Sequence, residues 1–99
     1  MEVKIQAIGF KADEKLKDFT TAKVNKLETF SDTLISSEVS FKLINTAGEA
    51  NKEADIRVAI PGNDLFARKH AKSFEEAVDD AVEALRGQIL KLKGKQEKK

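Results

Sequence analysis

The chain has 99 residues, of which 40% are hydrophobic and 35% are charged, and its formal net charge at pH 7 is only +1. This composition indicates one domain with a thin core, in which six Phe are the bulkiest residues, and it excludes a largely disordered chain. The lack of Cys excludes a disulfide scaffold, a zinc knuckle and a thiol nucleophile, and it fits a reducing compartment such as the cytoplasm.

The first strand and the first helix follow from two different periodicities. Val3, Ile5 and Ala7 alternate with polar residues, which predicts a strand with one buried face and shows no signal-peptide pattern. Asp13 is the expected N-cap of a helix over residues 14–30. The apolar stripe of this helix consists of Leu16, Phe19, Leu27 and Phe30.

Three further strands are expected downstream. Alternation of apolar and polar residues predicts a second strand at 39–43, a third at 55–60 and a fourth, with weaker alternation, at 65–71. Residues 45–52 form a polar connection between the second and third strands. The Pro-Gly-Asn-Asp segment at 61–64 is a strong turn signal, since Pro fixes φ and Gly and Asn tolerate positive φ.

A second helix is predicted over residues 74–93. Ser73 and Glu76 have the spacing of a capping box, in which the Ser hydroxyl accepts from an exposed amide of the first turn. Residues 1–94 then form a single domain, and residues 95–99 are expected to be a mobile basic tail because they have nothing to bury. The apolar stripe of the second helix consists of Phe74, Val78, Ala81, Val82, Leu85, Ile89 and Leu92.

The element order β-α-β-β-β-α predicts an α+β fold. Each strand has one apolar face and each helix one apolar stripe, so a four-stranded sheet with two helices packed on one face buries both sets. The other face of the sheet stays in contact with water and is free to bind a partner. No segment approaches the ~20 apolar residues that a membrane-spanning helix needs.

Catalysis, a metal site and a cofactor are not expected. The only His, His70, lies between Lys69 and Ala71 in a weak strand, where a surface role is much commoner than a catalytic one. No nucleophile motif or phosphate loop is visible. The carboxylate pairs of the second helix lack a third ligand, so a solvated acidic face is the simpler interpretation. We therefore expect a protein that is not an enzyme.

Charge is distributed unevenly along the second helix. Residues 73–85 contain five acidic residues and no base, whereas residues 86–99 contain six bases and only one acid. Two interpretations remain open at this stage. The charges suit the helix dipole, with acids near the N-terminus and bases near the C-terminus, and the basic end also suits a phosphate backbone, which responds to local charge.

The basic residues fall into three clusters, which are the candidate RNA contacts. Lys23 lies inside the apolar stripe of the first helix, so its stem is expected along the core edge with its ammonium reaching out; simple snorkelling and a ligand contact are both open. Lys42, a further candidate RNA contact outside these clusters, is expected on the sheet face away from the helices or at the edge of the sheet. The clusters consist of Lys23 with Lys26, of Arg68, Lys69 and Lys72, and of Arg86, Lys91, Lys93 and Lys95. No exposed aromatic platform for single strands is evident, so a structured RNA surface fits best.

The segment from Phe19 to Phe30, with Ala22-Lys23 followed by Lys26-Leu27-Glu28, resembles the first-helix signature of the ribosome hibernation promoting factors, also called ribosome-associated inhibitor or protein Y. The second helix is similar to theirs in its apolar stripe with Asp79, in Leu85, in Gln88-Ile89 and in Lys91 and Lys93. The resemblance covers nearly the whole chain. The chain ends at Lys99, so it resembles the short form without the extension through which long forms pair ribosomes.

The resemblance implies a function. Members of the family bind the small ribosomal subunit, both alone and within intact ribosomes, and contact its rRNA near the decoding centre. They stop translation because they occupy the space that mRNA and tRNA would use. By position, Lys23, Lys26, Lys91, Lys93 and Lys95 match family bases that contact rRNA. The resemblance thus predicts a bacterial, cytoplasmic hibernation factor, active in stress and a monomer when free.

The chain departs from the family pattern in three places. Ala84 stands where a Lys is usual, and Gly87 stands where an Arg is usual. The segment before the second helix, often acidic in the family, is basic here. Two alternatives to hibernation remain: another structured-RNA-binding domain of the double-stranded-RNA-reader type, and a protein-interaction domain that uses the acidic helix face.

Overall fold

The computed structural model describes residues 1–97, with side chains described as far as Lys93. The strands and helices of the described residues follow one another in the order that the sequence predicts, with an additional 3₁₀ turn after the first helix. They are β1 (Glu2–Ile8), α1 (Glu14–Asn25), a 3₁₀ turn (Lys26–Thr29), β2 (Ser36–Leu43), β3 (Lys52–Ile60), β4 (Asn63–Ala71) and α2 (Phe74–Glu97).

The four strands form one sheet in the order β1-β2-β3-β4. β1 pairs in parallel with β2, and the α1 segment makes the crossover that a parallel connection requires. The pairs β2–β3 and β3–β4 are antiparallel. Helix α2 lies over β3 and β4, and α1 packs beside α2 and against β1. The predicted fold, a four-stranded sheet with two helices on one face, is confirmed.

Helix α1 begins where the sequence predicts but ends differently. The Asp13 carboxylate accepts a hydrogen bond of 2.9 Å from the Leu16 amide, which confirms the N-cap. The last turn of the predicted helix is a 3₁₀ turn, which apolar spacing does not reveal because tightened hydrogen bonds at a helix end leave the pattern nearly unchanged. Thr20 and Val24 are fully buried in α1 between the predicted core positions.

The β3–β4 hairpin is tighter than predicted. Ile60 pairs directly with Asn63, so Pro61 and Gly62 alone form the loop. Gly62 has a φ of 79°, a conformation that Gly adopts without steric cost. Asn63 and Asp64 therefore belong to β4, which begins two residues before the predicted strand.

The core lies between the helices and one face of the sheet. Phe41, Ile56 and Val58 contribute from the central strands, and Leu27 and Leu85 contribute from the helical side, each with no exposed surface. Leu43, predicted to continue the buried face of β2, is exposed at the end of that strand. The core thus follows the alternation of apolar and polar residues in the sequence, with Leu43 at the end of β2 as the exception.

Helix α2 is longer than predicted. The Ser73 hydroxyl accepts a hydrogen bond of 3.1 Å from the Glu76 amide, as expected for its cap. The helix continues past Gly94 to Glu97, four residues beyond the predicted end. One Gly costs a helix roughly 1 kcal/mol and does not end it, and the Lys, Gln and Glu that follow favour helix. Lys98 and Lys99 of the predicted tail lie outside the described residues, and its mobility stays a prediction.

Among residues 1–97, no helix combines the length and apolar character needed to cross a membrane.

Candidate nucleic-acid interface

The sheet face away from the helices, called here the open sheet face, carries alternating acidic and basic side chains. The strand registers align Lys4 with Glu38 across β1 and β2, and Lys42 with Glu53 across β2 and β3. They also align Asp55 with Arg68. The charged residues of this face are Glu2, Lys4, Glu38, Lys42, Glu53, Asp55, Arg57, Asp64 and Arg68, five acids against four bases. This face is therefore not a basic surface.

The bases at the centre of the open sheet face are already paired. Arg68 donates two hydrogen bonds of 3.0 Å to the two carboxylate oxygens of Asp55, a bidentate arrangement. These bonds, with the attraction of the Asp55 charge, raise the pKa of Arg68. The buried Glu53 carboxylate lies 3.4 Å from Lys42 and 3.8 Å from Arg68. Lys42 and Arg68, both predicted RNA contacts, thus neutralise carboxylates of their own sheet.

The structure divides the predicted cluster of Arg68, Lys69 and Lys72. Neighbouring residues of a strand point to opposite faces, so Arg68 lies on the open sheet face. Lys69 lies on the opposite side of the molecule, where the two helices cover the sheet, called here the helix side. Treating these three residues as one cluster was wrong, because the alternation of β4 separates the first two. Lys69 and Lys72 are exposed.

Phe66 on the open sheet face is a residue that sequence reasoning missed. Its side chain is 39% exposed. The guanidinium groups of Arg57 and Arg68 lie 5.4 and 5.5 Å from its ring centroid, within the range of cation–π contacts. The available signal was the alternation of β4, in which Phe66 and Arg68 fall on the same face. Because Arg57 pairs with Asp64 and Arg68 with Asp55, the surroundings of Phe66 are mixed in charge.

Lys23 joins the two helices on the other side of the molecule. Its ammonium lies 3.0 Å from Asp79 Oδ1 on α2 and 5.6 Å from the centroid of the Phe19 ring. The side chain is 38% exposed, so the expected position, with the stem along the core edge and the head reaching out, is confirmed. The partner carboxylate was not predicted.

Arg86 occupies a similar position on α2, about two turns after Asp79. It donates hydrogen bonds of 3.1 and 2.6 Å to Glu83 Oε2, and its guanidinium lies 5.7 Å from the centroid of the Phe30 ring. Hydrogen bonding and then the charge of Arg86 hold the pKa of Glu83 below its ordinary value, and the same contact raises the pKa of Arg86. Since Lys23 contacts Asp79 and Phe30 contacts Arg86, α1 and α2 run in the same direction.

The remaining candidate bases of the helix side are not paired. Lys26, Lys91 and Lys93 are exposed, and in the described part of the chain no carboxylate lies within 4 Å of their ammonium groups. Lys93 follows Arg86 by seven residues, so it shares the flank of α2 that faces α1. The side chain of Lys95 lies outside the described residues. Lys91 precedes Lys93 by two residues, about 160° around the helix axis, so it lies on the other flank of α2. In the described part of the chain, free cations are therefore found near the ends of both helical segments, with Lys93 on the flank of α2 toward α1.

Other chemistry is sparse. Within residues 1–97, no three His, Asp or Glu side chains are grouped as they would be in a metal site. The His70 ring lies 3.2 Å from the Ala50 carbonyl through its Nδ1 atom, a contact that ties β4 to the loop before β3. His70 is exposed, and among the described residues no hydroxyl group is hydrogen-bonded to its ring. The arrangement is suited to binding a polyanion on the helix side.

Comparison with known proteins gives one consistent result. The family model described as "Sigma 54 modulation protein / S30EA ribosomal protein" matches residues 3–97. A ribosome hibernation promotion factor of Bacillus subtilis (strain 168) is 31% identical over an alignment of 101 positions, which covers 100% of this chain and 52% of that protein. The chain thus spans about half the length of this relative. A ribosome hibernation promoting factor of Klebsiella oxytoca is 25% identical over 95 residues, which are 96% of each chain.

Two solved structures have the same fold. A ribosomal subunit interface protein from Coxiella burnetii superposes with a TM-score of 0.83 at 20% identity, covering 95% of this chain and 99% of that one. The N-terminal domain of protein Y from Thermus thermophilus superposes with a TM-score of 0.78 at 22% identity, covering 93% of this chain and 99% of that one. At these identities the likeness concerns the fold.

Proposed function

The chain belongs to the sigma 54 modulation protein / S30EA ribosomal protein family, and from this membership we propose that it binds ribosomes and keeps them in hibernation. The curated relatives that match it are named for ribosome hibernation. In the proposed complex the protein lies on the small subunit near the decoding centre. It blocks translation by occupying the space that mRNA and tRNA would use.

The observation that carries this proposal is the difference in ion pairing between the two faces. Lys26, Lys91 and Lys93 are exposed and unpaired near the C-terminal ends of the two helical segments, within the part of the chain that the structure describes. On the open sheet face, Lys42 and Arg68 are held by carboxylates. Phosphate contacts require free cations, so the helix side is the surface proposed to bind rRNA. Its proposed contacts are Lys23, Lys26, Lys69, Lys72, Arg86, Lys91 and Lys93. Lys23 and Arg86 are themselves paired, but their partners Asp79 and Glu83 are exposed, whereas the carboxylates that hold Lys42 and Arg68 are buried or half-buried.

The proposed mechanism needs no chemical step. A bound protein of this size excludes other ligands from the same space, so inhibition follows from occupancy and reverses on dissociation. Because the contacts are to phosphates, affinity falls steeply as salt rises. The proposed partners are the small subunit, its rRNA and intact ribosomes. The free protein is proposed to be a cytoplasmic monomer.

Sedimentation through sucrose gradients tests the proposal. The purified protein is mixed with bacterial ribosomes or with separated subunits, at low and at moderate salt. We expect it to move with small subunits and intact ribosomes at low salt, to dissociate as salt rises, and to inhibit translation in a purified system. Protein that stays at the top of the gradient in both salts would contradict ribosome binding. Equal affinity for free duplex RNA and for ribosomes would instead favour the double-stranded-RNA reader.

A further inference from the structure

We propose that Asp79 and Glu83 take the place of RNA phosphates in the free protein, so that Lys23 and Arg86 join a phosphate backbone only when these carboxylates are displaced. The two acids thereby determine how much of the helix side is available to RNA. The inference rests on the proposed function for its biological meaning, although the competition itself can be measured without ribosomes.

The contact of Lys23 has the geometry of a phosphate contact. Asp79 approaches from the neighbouring helix, and one of its oxygens lies 3.0 Å from the Lys23 ammonium, as a phosphate oxygen would. The Phe19 ring, 5.6 Å away, borders the same ammonium. The ammonium and the carboxylate are both partly exposed, at 38% and 50% of the side chain. An incoming phosphate therefore reaches Lys23 from solvent but competes with Asp79 for it.

The contact of Arg86 is the second case of the same arrangement. Two of its nitrogens converge on a single oxygen of Glu83, and the planar guanidinium lies over Phe30. A guanidinium fork matches the oxygens of a phosphate as well as those of a carboxylate. Glu83 is 67% exposed, so it is free to leave when a phosphate takes its place.

The other acids of α2 do not behave in this way. Glu75, Glu76 and Asp80 are exposed, and within the described residues none of them pairs with a base. Among the described residues of α2, only Asp79 and Glu83 hold bases on the side that faces α1. The pairing is therefore local to the surface proposed to bind RNA, and the unpaired acids provide controls with the same charge.

The competition has a distinct consequence for salt dependence. A free base that binds a phosphate lets a counterion leave the nucleic acid, and this steepens the logarithmic dependence of affinity on salt by roughly 0.7–0.9 per contact. A base that must first leave its own carboxylate exposes a new negative charge, which retains a cation. Lys23 and Arg86 should therefore add little to the salt dependence until their carboxylates are neutralised.

Matched amide substitutions test this. Asp79→Asn is compared with Asp80→Asn, and Glu83→Gln with Glu76→Gln, since each pair removes one negative charge from the same helix. Exposed ion pairs are weak, so we expect Asp79→Asn to bind small subunits about two- to fivefold more tightly than Asp80→Asn does. The logarithmic dependence of its affinity on salt should be steeper by up to the roughly 0.7–0.9 that one phosphate contact contributes. Glu83→Gln should show the same behaviour relative to Glu76→Gln.

A double-mutant cycle assigns the gain to Lys23. Adding Lys23→Met to Asp79→Asn should remove the gain in affinity and the added salt dependence, because the released cation is then absent. Arg86→Met should do the same for Glu83→Gln. If each amide variant has the same affinity and the same salt dependence as its control, only net charge matters and the proposal is wrong. If Asp79→Asn binds more weakly than Asp80→Asn, Asp79 orients Lys23 for RNA and does not compete, which also overturns it.

Elution from a heparin column repeats the comparison with a polyanion that is not ribosomal. We expect Asp79→Asn and Glu83→Gln to elute at higher salt than their controls Asp80→Asn and Glu76→Gln. If the wild-type protein does not bind small subunits, the proposed function is wrong. The order in which the variants and their controls elute from heparin still decides whether Asp79 and Glu83 compete for the bases. Thermal melting of each variant confirms that the compared proteins are folded.

Discussion

The side-chain amide of Gln88 on α2 donates a hydrogen bond of 2.9 Å to the backbone carbonyl of Phe66 on β4. β4 is an edge strand, so this carbonyl has no partner strand on its outer side. Gln88 thus fastens the long helix to the free edge of the sheet. It lies on the flank of α2 opposite to Arg86, which contacts Phe30 on the α1 side.

Substitution of Gln88 should loosen this attachment. We expect Gln88→Ala to lower the free energy of unfolding by about 0.5–1.5 kcal/mol, the usual net contribution of one hydrogen bond. Gln88→Glu should cost at least as much, because a carboxylate next to a carbonyl cannot donate. Urea denaturation measures both, with Lys91→Ala as a control at an exposed position of the same helix. Unchanged stability in Gln88→Glu would show that the bond does not matter in solution.

Gly87 has no steric reason to be Gly. A Cβ placed on it would meet nothing within 4 Å, and the residue is exposed in the middle of α2. Gly87→Ala should therefore stabilise the protein by roughly 0.5–1 kcal/mol, the helix preference for Ala over Gly. Chemical denaturation would show this, and a loss of stability would mean that the backbone there is not helical in solution.

The same variant tests how closely RNA approaches the helix. If ribosome binding requires the bare backbone at residue 87, Gly87→Ala will weaken binding although it stabilises the fold. A variant that is more stable and binds as well as wild type would leave Gly87 without a role in recognition. Ala84→Ser, at a half-buried position one turn earlier, is a control for a change of similar size.

The pKa of Glu83 gives a pH-dependent prediction. Arg86 holds this pKa below its ordinary value, mainly by hydrogen bonding. A carboxyl group whose pKa is lower in the folded state contributes stability above its unfolded-state pKa and loses that contribution as pH falls through its folded-state pKa. The stability difference between wild type and Glu83→Gln should therefore shrink in that acidic range. NMR titration should place the Glu83 pKa nearer its ordinary value in Arg86→Met, and identical titrations in the two proteins would contradict the contact.

Much of the fold could be predicted from the sequence because it follows from local pattern. The alternation of Val39 and Phe41 with polar neighbours, the Asp13 cap and the turn at Pro61-Gly62 each depend on a few adjacent residues. The 3₁₀ turn after Asn25 and the continuation of α2 to Glu97 were missed, since they depend on small energy differences at helix ends.

The candidate site was less predictable because charge pairing depends on the packing of distant segments. That Lys23 meets Asp79 requires the relative position of two helices, which no local pattern contains. The separation of Arg68 from Lys69 was available from strand alternation but was overlooked when the bases were grouped by their position along the chain. Sequence reasoning thus found the basic residues of the surface and missed the carboxylates that hold some of them.

The central claim is that the helix side, and not the open sheet face, binds the ribosome. The most direct measurement is the affinity for small subunits, over a range of salt, of three single variants: Lys26→Met, Lys91→Met and Lys4→Met. All three residues are exposed and, among the described residues, unpaired, and Lys4 lies on the open sheet face. The account predicts severalfold weaker binding and a salt dependence flatter by roughly 0.7–0.9 for each of the first two, with Lys4→Met close to wild type. Weaker binding by Lys4→Met, with the helix-side variants unchanged, would contradict it.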